Sequence, residues 1–269
     1  MNNQEKELAY TIRWNANEIL KKDANNTYAK DIVFNATKLI GDTQTIAVPL
    51  PKVLPTETGL YPPFANVMKE KMRTHGKYAG KGTPIGAIVH FTAGHDGAEN
   101  TIRDGIKNGY AYYCIQRDGK LFCAHPYNEW GYHAGESKWK NIIGGVSDDL
   151  IGIEMNAGGQ LTKQKDGTYK SWFGKTYQES EVRYCDGSSK DQCKGYYHKY
   201  TPEQEATLIK TILWLKARNP DVFSFDNVLG HCEVSGILGL GYWRKNDPSA
   251  ALSMTMPEFR KLLKEKFIN

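Results

Sequence analysis

The chain has little that would take it into a membrane. Its longest apolar stretches, such as residues 86–91, fall far short of the roughly 20 residues a spanning helix needs, so no membrane insertion is expected. The opening Met1-Asn2-Asn3-Gln4-Glu5-Lys6-Glu7 has neither the basic start nor the apolar centre of a secretory signal. Delivery outside a cytoplasm would therefore need another route. Five cysteines in 269 residues are too few for a disulfide framework. Cys114, Cys123 and Cys232 read as packed free thiols. Cys185 and Cys193 bracket a polar loop and could pair under oxidising conditions, or join His198 in a second metal site whose spacing matches no strong zinc pattern. There is no internal repeat and no basic stripe interleaved with aromatics, which argues against nucleic acid as a partner. The net charge of +5 suits either a solvated surface or an anionic polymer.

What is present is an ordinary globular composition, 40% apolar and 24% charged, in a chain long enough to bury a sizeable core. Residues 1–40 have helical spacing of apolar positions, broken at Asp23-Ala24-Asn25-Asn26-Thr27. Prolines 49, 51, 55, 62 and 63 then mark an extended connector. The expected organisation is a helical N-terminal extension and connector over 1–70, followed by a domain over 71–269. Within that domain, residues 85–91 and 150–156 read as buried strands and 100–108 as a helix. The runs 111–117 and 120–124 flank Asp118-Gly119, a hairpin signal. Residues 160–198 form a polar excursion with possible hairpin structure. Thr201-Pro202-Glu203-Gln204 opens a helix that Asn219-Pro220 stops, residues 228–231 resume strand character, and 256–267 form a terminal amphipathic helix. The fold class expected is α/β, a mixed central β-sheet flanked by helices.

Three residues stand at suggestive places. His90 ends one apolar strand, His231 ends another, and Asp247 follows in Lys245-Asn246-Asp247-Pro248. Two imidazoles and a carboxylate suit zinc and leave a fourth tetrahedral position for water, which argues for hydrolysis. Each alone has a blander reading, a hydrogen-bonded core histidine or a turn aspartate. In Ile151-Gly152-Ile153-Glu154 the carboxylate lies on the face opposite the isoleucines, where burial is costly unless it is paired or functional. A catalytic base and a structural ion pair are the two readings. Gly152 removes a neighbour on that face and leaves room for something bulky. Lys245 is placed to sit beside a developing oxyanion, or is an ordinary surface lysine.

Several motifs occur together and in order: His90-Phe91-Thr92-Ala93-Gly94, His133-Ala134-Gly135, Ile151-Gly152-Ile153-Glu154, Tyr200-Thr201-Pro202-Glu203-Gln204, Gly230-His231 and Lys245-Asn246-Asp247-Pro248. Over roughly residues 75–265 the chain resembles the zinc-dependent type 2 N-acetylmuramoyl-L-alanine amidases, relatives of phage lysozyme-type amidases and peptidoglycan recognition proteins. The resemblance implies Zn2+ held by His90, His231 and Asp247, with Glu154 and Lys245 assisting catalysis and His133 lining the groove. Ala111-Tyr112 stands where many relatives carry Tyr-His, which makes Tyr112 the tyrosine candidate for the substrate groove. The segment between His231 and Asp247 is longer than usual for such proteins. The substrate implied is peptidoglycan of the bacterial cell wall, cut between N-acetylmuramic acid and L-alanine. Two other readings share the fold: a non-catalytic peptidoglycan-binding protein and an endopeptidase cutting within the stem peptide. Trp172, with Phe173, Tyr177 and Tyr184, is an aromatic candidate for the substrate groove or a loop anchor. A phage endolysin, a wall-remodelling enzyme and an antibacterial effector all fit.

Overall fold

Two apolar runs form neighbouring strands at the centre of the molecule, because only a strand covered on both faces can afford so little polarity. The computed structural model describes residues 59–268 except 95, 96, 141 and 144. The two expected N-terminal helices and most of the connector lie outside the described residues.

In chain order the main sheet is built from β1 (Ala65–Val67), β2 (Gly86–Phe91), β3 (Tyr113–Ile115), β4 (Leu121–Cys123), β7 (Leu150–Met155) and β13 (Val228–Gly230). Their spatial order is β1-β4-β3-β7-β2-β13, and β5 (Lys138–Trp139) and β6 (Ile142–Ile143) form a separate two-stranded sheet. In the main sheet the β3–β4 pair is antiparallel and all the other pairs are parallel, so the sheet is mixed, as expected. β1 begins on the N-terminal side of the boundary expected at residue 70 and forms the sheet's edge. Asp118-Gly119 turns the β3–β4 hairpin with Gly119 at φ 82°, a conformation that glycine adopts without strain.

Helices α1 (Ala98–Asn108), α2 (Pro202–Arg218) and α4 (Met256–Ile268) flank the sheet, and the short α3 (His231–Val234) follows β13 directly. α1 packs on β3 and β4, α2 on β3 and α4, and α4 on β13. The α1 positions Ala98 and Ile102 join Met68, Met72, Tyr112 and Cys114 in one cluster. A second cluster, Ile88, Ala134, Val146, Leu150, Leu229 and Val234, fills the space behind the strand ends.

The polar excursion is more ordered than its sequence suggests. β8 (Gln160–Lys163), β9 (Tyr169–Ser171), β10 (Thr176–Tyr177), β11 (Val182–Cys185) and β12 (Gly195–His198) form a separate antiparallel sheet in the order β10-β9-β8-β12-β11. Its small core is Leu161, Tyr169, Tyr177 and Val182. The Arg183 guanidinium ties it to the main body by donating to the carbonyls of Ala250, Ala251 and Leu252 at 3.0, 3.2 and 2.6 Å. The five cysteines are free thiols. The second metal site entertained for Cys185, Cys193 and His198 is not formed: His198 Nδ1 accepts from the Gly158 N–H at 2.9 Å. Among the described residues, one group of three metal-type donors converges, and it lies elsewhere.

The start of α2 fixes the strand ends that carry the site. Thr201 and Gln204 form the expected capping box. Gln204, fully buried, also donates from Nε2 to the carbonyls of Ile115 at 3.1 Å and Asn156 at 3.0 Å. Its Oε1 accepts from Arg117 at 2.9 Å. One side chain therefore bridges the last residue of β3 and the first residue beyond β7, where the parallel ladder stops. Gln204→Ala strips partners from these buried groups, and chemical denaturation is expected to show a loss of about 2–4 kcal/mol. Thr201→Ala, which removes the cap on the Gln204 N–H and the bond its hydroxyl donates to the Arg117 carbonyl at 2.7 Å, should lose about 1–2 kcal/mol.

Candidate functional site

The register of three parallel strands brings distant residues side by side. His90 pairs with Glu154 across β2–β7, and Glu154 pairs with Cys114 across β7–β3. Gly230 pairs with Val89 across β13–β2, so His231, one residue on, emerges beside His90. Residues at the same level of a sheet share a face. His90, Glu154 and His231 therefore share one face at the carboxyl ends of their strands, where ligands of open α/β sheets gather.

The long segment after His231 returns to this point. Arg244 N–H and Lys245 N–H both donate to the Ser235 carbonyl, at 2.9 and 3.1 Å, and Cys232 N–H donates to the Asp247 carbonyl at 2.7 Å. These bonds close residues 236–243 into a side loop. Gly236 makes the closure possible: a Cβ there would lie 2.0 Å from the Cys232 carbonyl oxygen and 2.7 Å from the Trp243 ring. The extra length is thus an insertion that leaves Asp247 over the histidines. Behind them, buried Glu233 accepts from both guanidinium nitrogens of Arg260, at 2.9 and 3.0 Å, and from the Gly230 N–H at 2.9 Å. This pins α3, and with it His231, to α4.

Three donor atoms converge. His90 Nδ1 lies 3.0 Å from His231 Nδ1 and 3.1 Å from Asp247 Oδ2, and His231 Nδ1 lies 3.0 Å from the same oxygen. All three residues are buried. Two donors each bound to tetrahedral zinc at about 2.0–2.1 Å would lie roughly 3.3 Å apart, so the triangle is close to one face of such a tetrahedron. His231 Nε2 is 2.9 Å from the Ala134 carbonyl oxygen; an imidazole must donate there, which leaves Nδ1 a lone pair in the neutral ring. The donor set and its spacing fit a zinc ion.

Electrostatics agree with a ligand-ready state. Burial, reinforced by nearby His231, lowers His90 to about 4 and keeps it neutral. Burial acts to raise the Asp247 carboxyl, but the contacts with His231 and His90 outweigh it and hold the group well below the usual carboxylate range. Neutral imidazoles and an ionised carboxylate are the forms that bind metal.

The three donors open into a cavity of 490 Å³ lined also by His133, Glu154, Trp243, Arg244, Lys245 and Asn246. Glu154 Oε2 is buried and has no hydrogen-bond partner, a state that costs stability unless something else occupies the space beside it. Burial, with the negative Asp247 nearby, pushes Glu154 up to about 8, and Lys245 acts the other way. A divalent cation at the three donors would bring it down again.

The structure gathers His90, His231, Asp247, Glu154, Lys245 and His133 at one cavity. It does not bring Tyr112 there. That side chain packs under α1, where Gly105 leaves space for it, and its hydroxyl donates to the Thr101 carbonyl at 2.9 Å; the groove role expected for Tyr112 is withdrawn. His133 lines the cavity, but both its ring nitrogens are engaged by protein atoms. Trp172 stands at the rim, 80% exposed, held by its indole N–H donating 2.7 Å to the carbonyl of cavity-lining Ala93. Sequence reasoning missed Arg244, which donates to the Ala134 and Glu136 carbonyls at 2.5 and 2.9 Å. It also missed Tyr200 as the residue whose hydroxyl donates to the His90 carbonyl at 3.0 Å. No periodicity marks the loop that carries Arg244, and the motif that Tyr200 opens does not show which carbonyl its hydroxyl meets.

Glu154 gives a pH signature in the metal-free protein. Its folded value, about 8, lies above the ordinary 4.5, so the folded state holds the proton more tightly than the unfolded one. That stabilising contribution is complete below about 4.5 and is lost as pH rises through about 8. Glu154→Gln abolishes this titration. Denaturant melts should show the variant gaining on the native protein between pH 5 and 8, by at most about 1.4 kcal/mol per pH unit.

Among curated proteins none matches the chain. Solved structures similar to it include a selenomethionine derivative of AmpD, at 19% identity and a TM-score of 0.45, covering 76% of this chain and 96% of that one. Another is AmiD from E. coli in complex with anhydro-N-acetylmuramic acid-L-Ala-D-γ-Glu-L-Lys, at 19% identity and a TM-score of 0.43, covering 66% of this chain and 56% of that one. A third is the endolysin amidase LysCS from Clostridium intestinale URNW, at 16% identity and a TM-score of 0.42, covering 77% and 97%. The family described as N-acetylmuramoyl-L-alanine amidase matches residues 80–250, a span that holds every residue lining the cavity. On that match, which takes in more than half of the sequence, the chain belongs to the N-acetylmuramoyl-L-alanine amidase family.

Proposed function

We propose that this protein hydrolyses the amide between the lactyl group of N-acetylmuramic acid and the L-alanine of the stem peptide in peptidoglycan, with zinc held by His90, His231 and Asp247. The observation that carries the reading is the convergence of three lone-pair donors within 3.1 Å, facing a cavity in which one buried carboxylate oxygen, on Glu154, has no partner. When bound, zinc supplies Lewis acidity, polarising the scissile carbonyl and bringing the pKa of a water to about 7.

Glu154 takes a proton from the attacking water as its oxygen bonds to the carbonyl carbon. It then delivers that proton to the amide nitrogen as the carbon–nitrogen bond breaks. The products are the lactyl carboxylate and a stem peptide with a free L-alanine amino group. Burial raises the proton affinity of Glu154 and a bound cation lowers it, so the carboxyl can both take up and release the proton. The Lys245 ammonium, at the cavity wall, would stabilise the oxygen on which negative charge develops. Trp172 and Trp243 offer exposed ring surface at the rim and wall for the glycan or peptide.

Digestion of purified cell wall tests the reading. The native protein with zinc should release stem peptides with free L-alanine amino termini, identified by mass spectrometry. Chelation should abolish release and zinc should restore it. Glu154→Ala should keep its zinc and lose about 10²–10⁴-fold in rate. Cuts within the peptide would make the protein an endopeptidase, and wall binding at full zinc occupancy with no release would make it a binding protein.

A further inference from the structure

The proton positions behind His90 follow from a carbonyl on the next strand. The Leu150 carbonyl can only accept, and His133 Nε2 lies 2.8 Å from it, so His133 carries its proton on Nε2. In the neutral ring this leaves His133 Nδ1 a lone pair, 3.0 Å from His90 Nε2. His90 must donate across that gap, and its own lone pair is therefore fixed on Nδ1, the atom that meets His231 and Asp247. The two rings meet edge to face, 83° apart with centroids 5.2 Å from each other, so the bond also sets the plane of His90.

The backbone is shaped to hold His133 there. Ser147 Oγ accepts from the N–H groups of His133 and Ala134 at 3.2 and 3.1 Å. On β7, Gly152 supplies the room: a Cβ at that position would lie 2.7 Å from His133 Cγ and 2.9 Å from Nδ1. The vacancy legible in the sequence at Gly152 is filled by the imidazole.

We propose that His133 is a positioning residue for the metal centre, one that selects the metal-binding tautomer and orientation of His90 through the Leu150 carbonyl and touches no ligand atom facing the metal. The inference rests on the zinc reading above. Partners of this kind, one bond removed from a metal, typically change affinity about 10–100-fold when lost.

The test is zinc affinity, by competition with a chromophoric chelator, together with imidazole ¹⁵N shifts in the metal-free native protein. The shifts should show His90 protonated on Nε2 with a bare Nδ1; a proton on Nδ1 overturns the proposal without any variant. His133→Ala should bind zinc about 10–100-fold more weakly. Gly152→Ala, which pushes the ring aside and alters no ligand, should weaken zinc binding in the same direction. His133→Gln should recover much of the loss, because its amide can accept from His90 and donate to Leu150. Unchanged zinc affinity in folded His133→Ala or Gly152→Ala, while the native protein binds zinc, overturns this inference alone. Failure of the native protein to bind zinc overturns the metal reading itself.

Discussion

The site depends on the register of three adjacent parallel strands. With β2 beside β7 and β13, the pairings His90 to Glu154 and Val89 to Gly230 place two imidazoles and a carboxylate on one face at one level. A slip of one residue in either ladder would turn its polar residue to the opposite face. The apolar runs that make these strands hold the register, because each buries side chains on both faces. Gln204 then closes the ends of β3 and β7 with two side-chain hydrogen bonds.

Around that frame the polar groups support one another in layers. Asp247 reaches the histidines because the loop before it is clipped at Ser235. His231 is held from behind by the Glu233–Arg260 pair and turned by the Ala134 carbonyl. His90 is fixed by His133 at its far nitrogen and by Tyr200 at its carbonyl. Taking one carboxylate and two imidazoles out of water is costly unless a cation compensates. Three acceptor atoms within 3.1 Å of one another are arranged for a positive charge.

Much of this was legible in the chain. His90, Glu154 and His231 stood out because polar residues interrupt or end apolar strands, a conflict that burial makes expensive. Gly152 stood out because a strand among bulky residues has a gap there. The mixed α/β sheet followed from strands alternating with helices around one hairpin. Other features depend on three-dimensional partners and leave no local trace. Tyr112 looked suitable by position, yet its ring fills the space at Gly105 under α1. The second sheet was concealed because its strands are short, with mostly polar faces and a small tyrosine-rich core. Arg244 lies in an irregular loop, and only the folded chain shows it bonded to the Ala134 and Glu136 carbonyls. His133 was read as a groove residue, and its second nitrogen partner, the Leu150 carbonyl, belongs to a strand 17 residues on.

We propose that His90, His231 and Asp247 form a three-ligand zinc centre with one corner open to water. X-ray absorption at the zinc edge, on protein loaded with a single equivalent of zinc, tests it most directly. The expected result is a four-coordinate ion with two imidazoles and two oxygen donors, all at about 2.0–2.1 Å. Sulfur scattering at about 2.3 Å, the mark of a cysteine ligand such as Cys193 or Cys232, would contradict it, as would a first shell without imidazole.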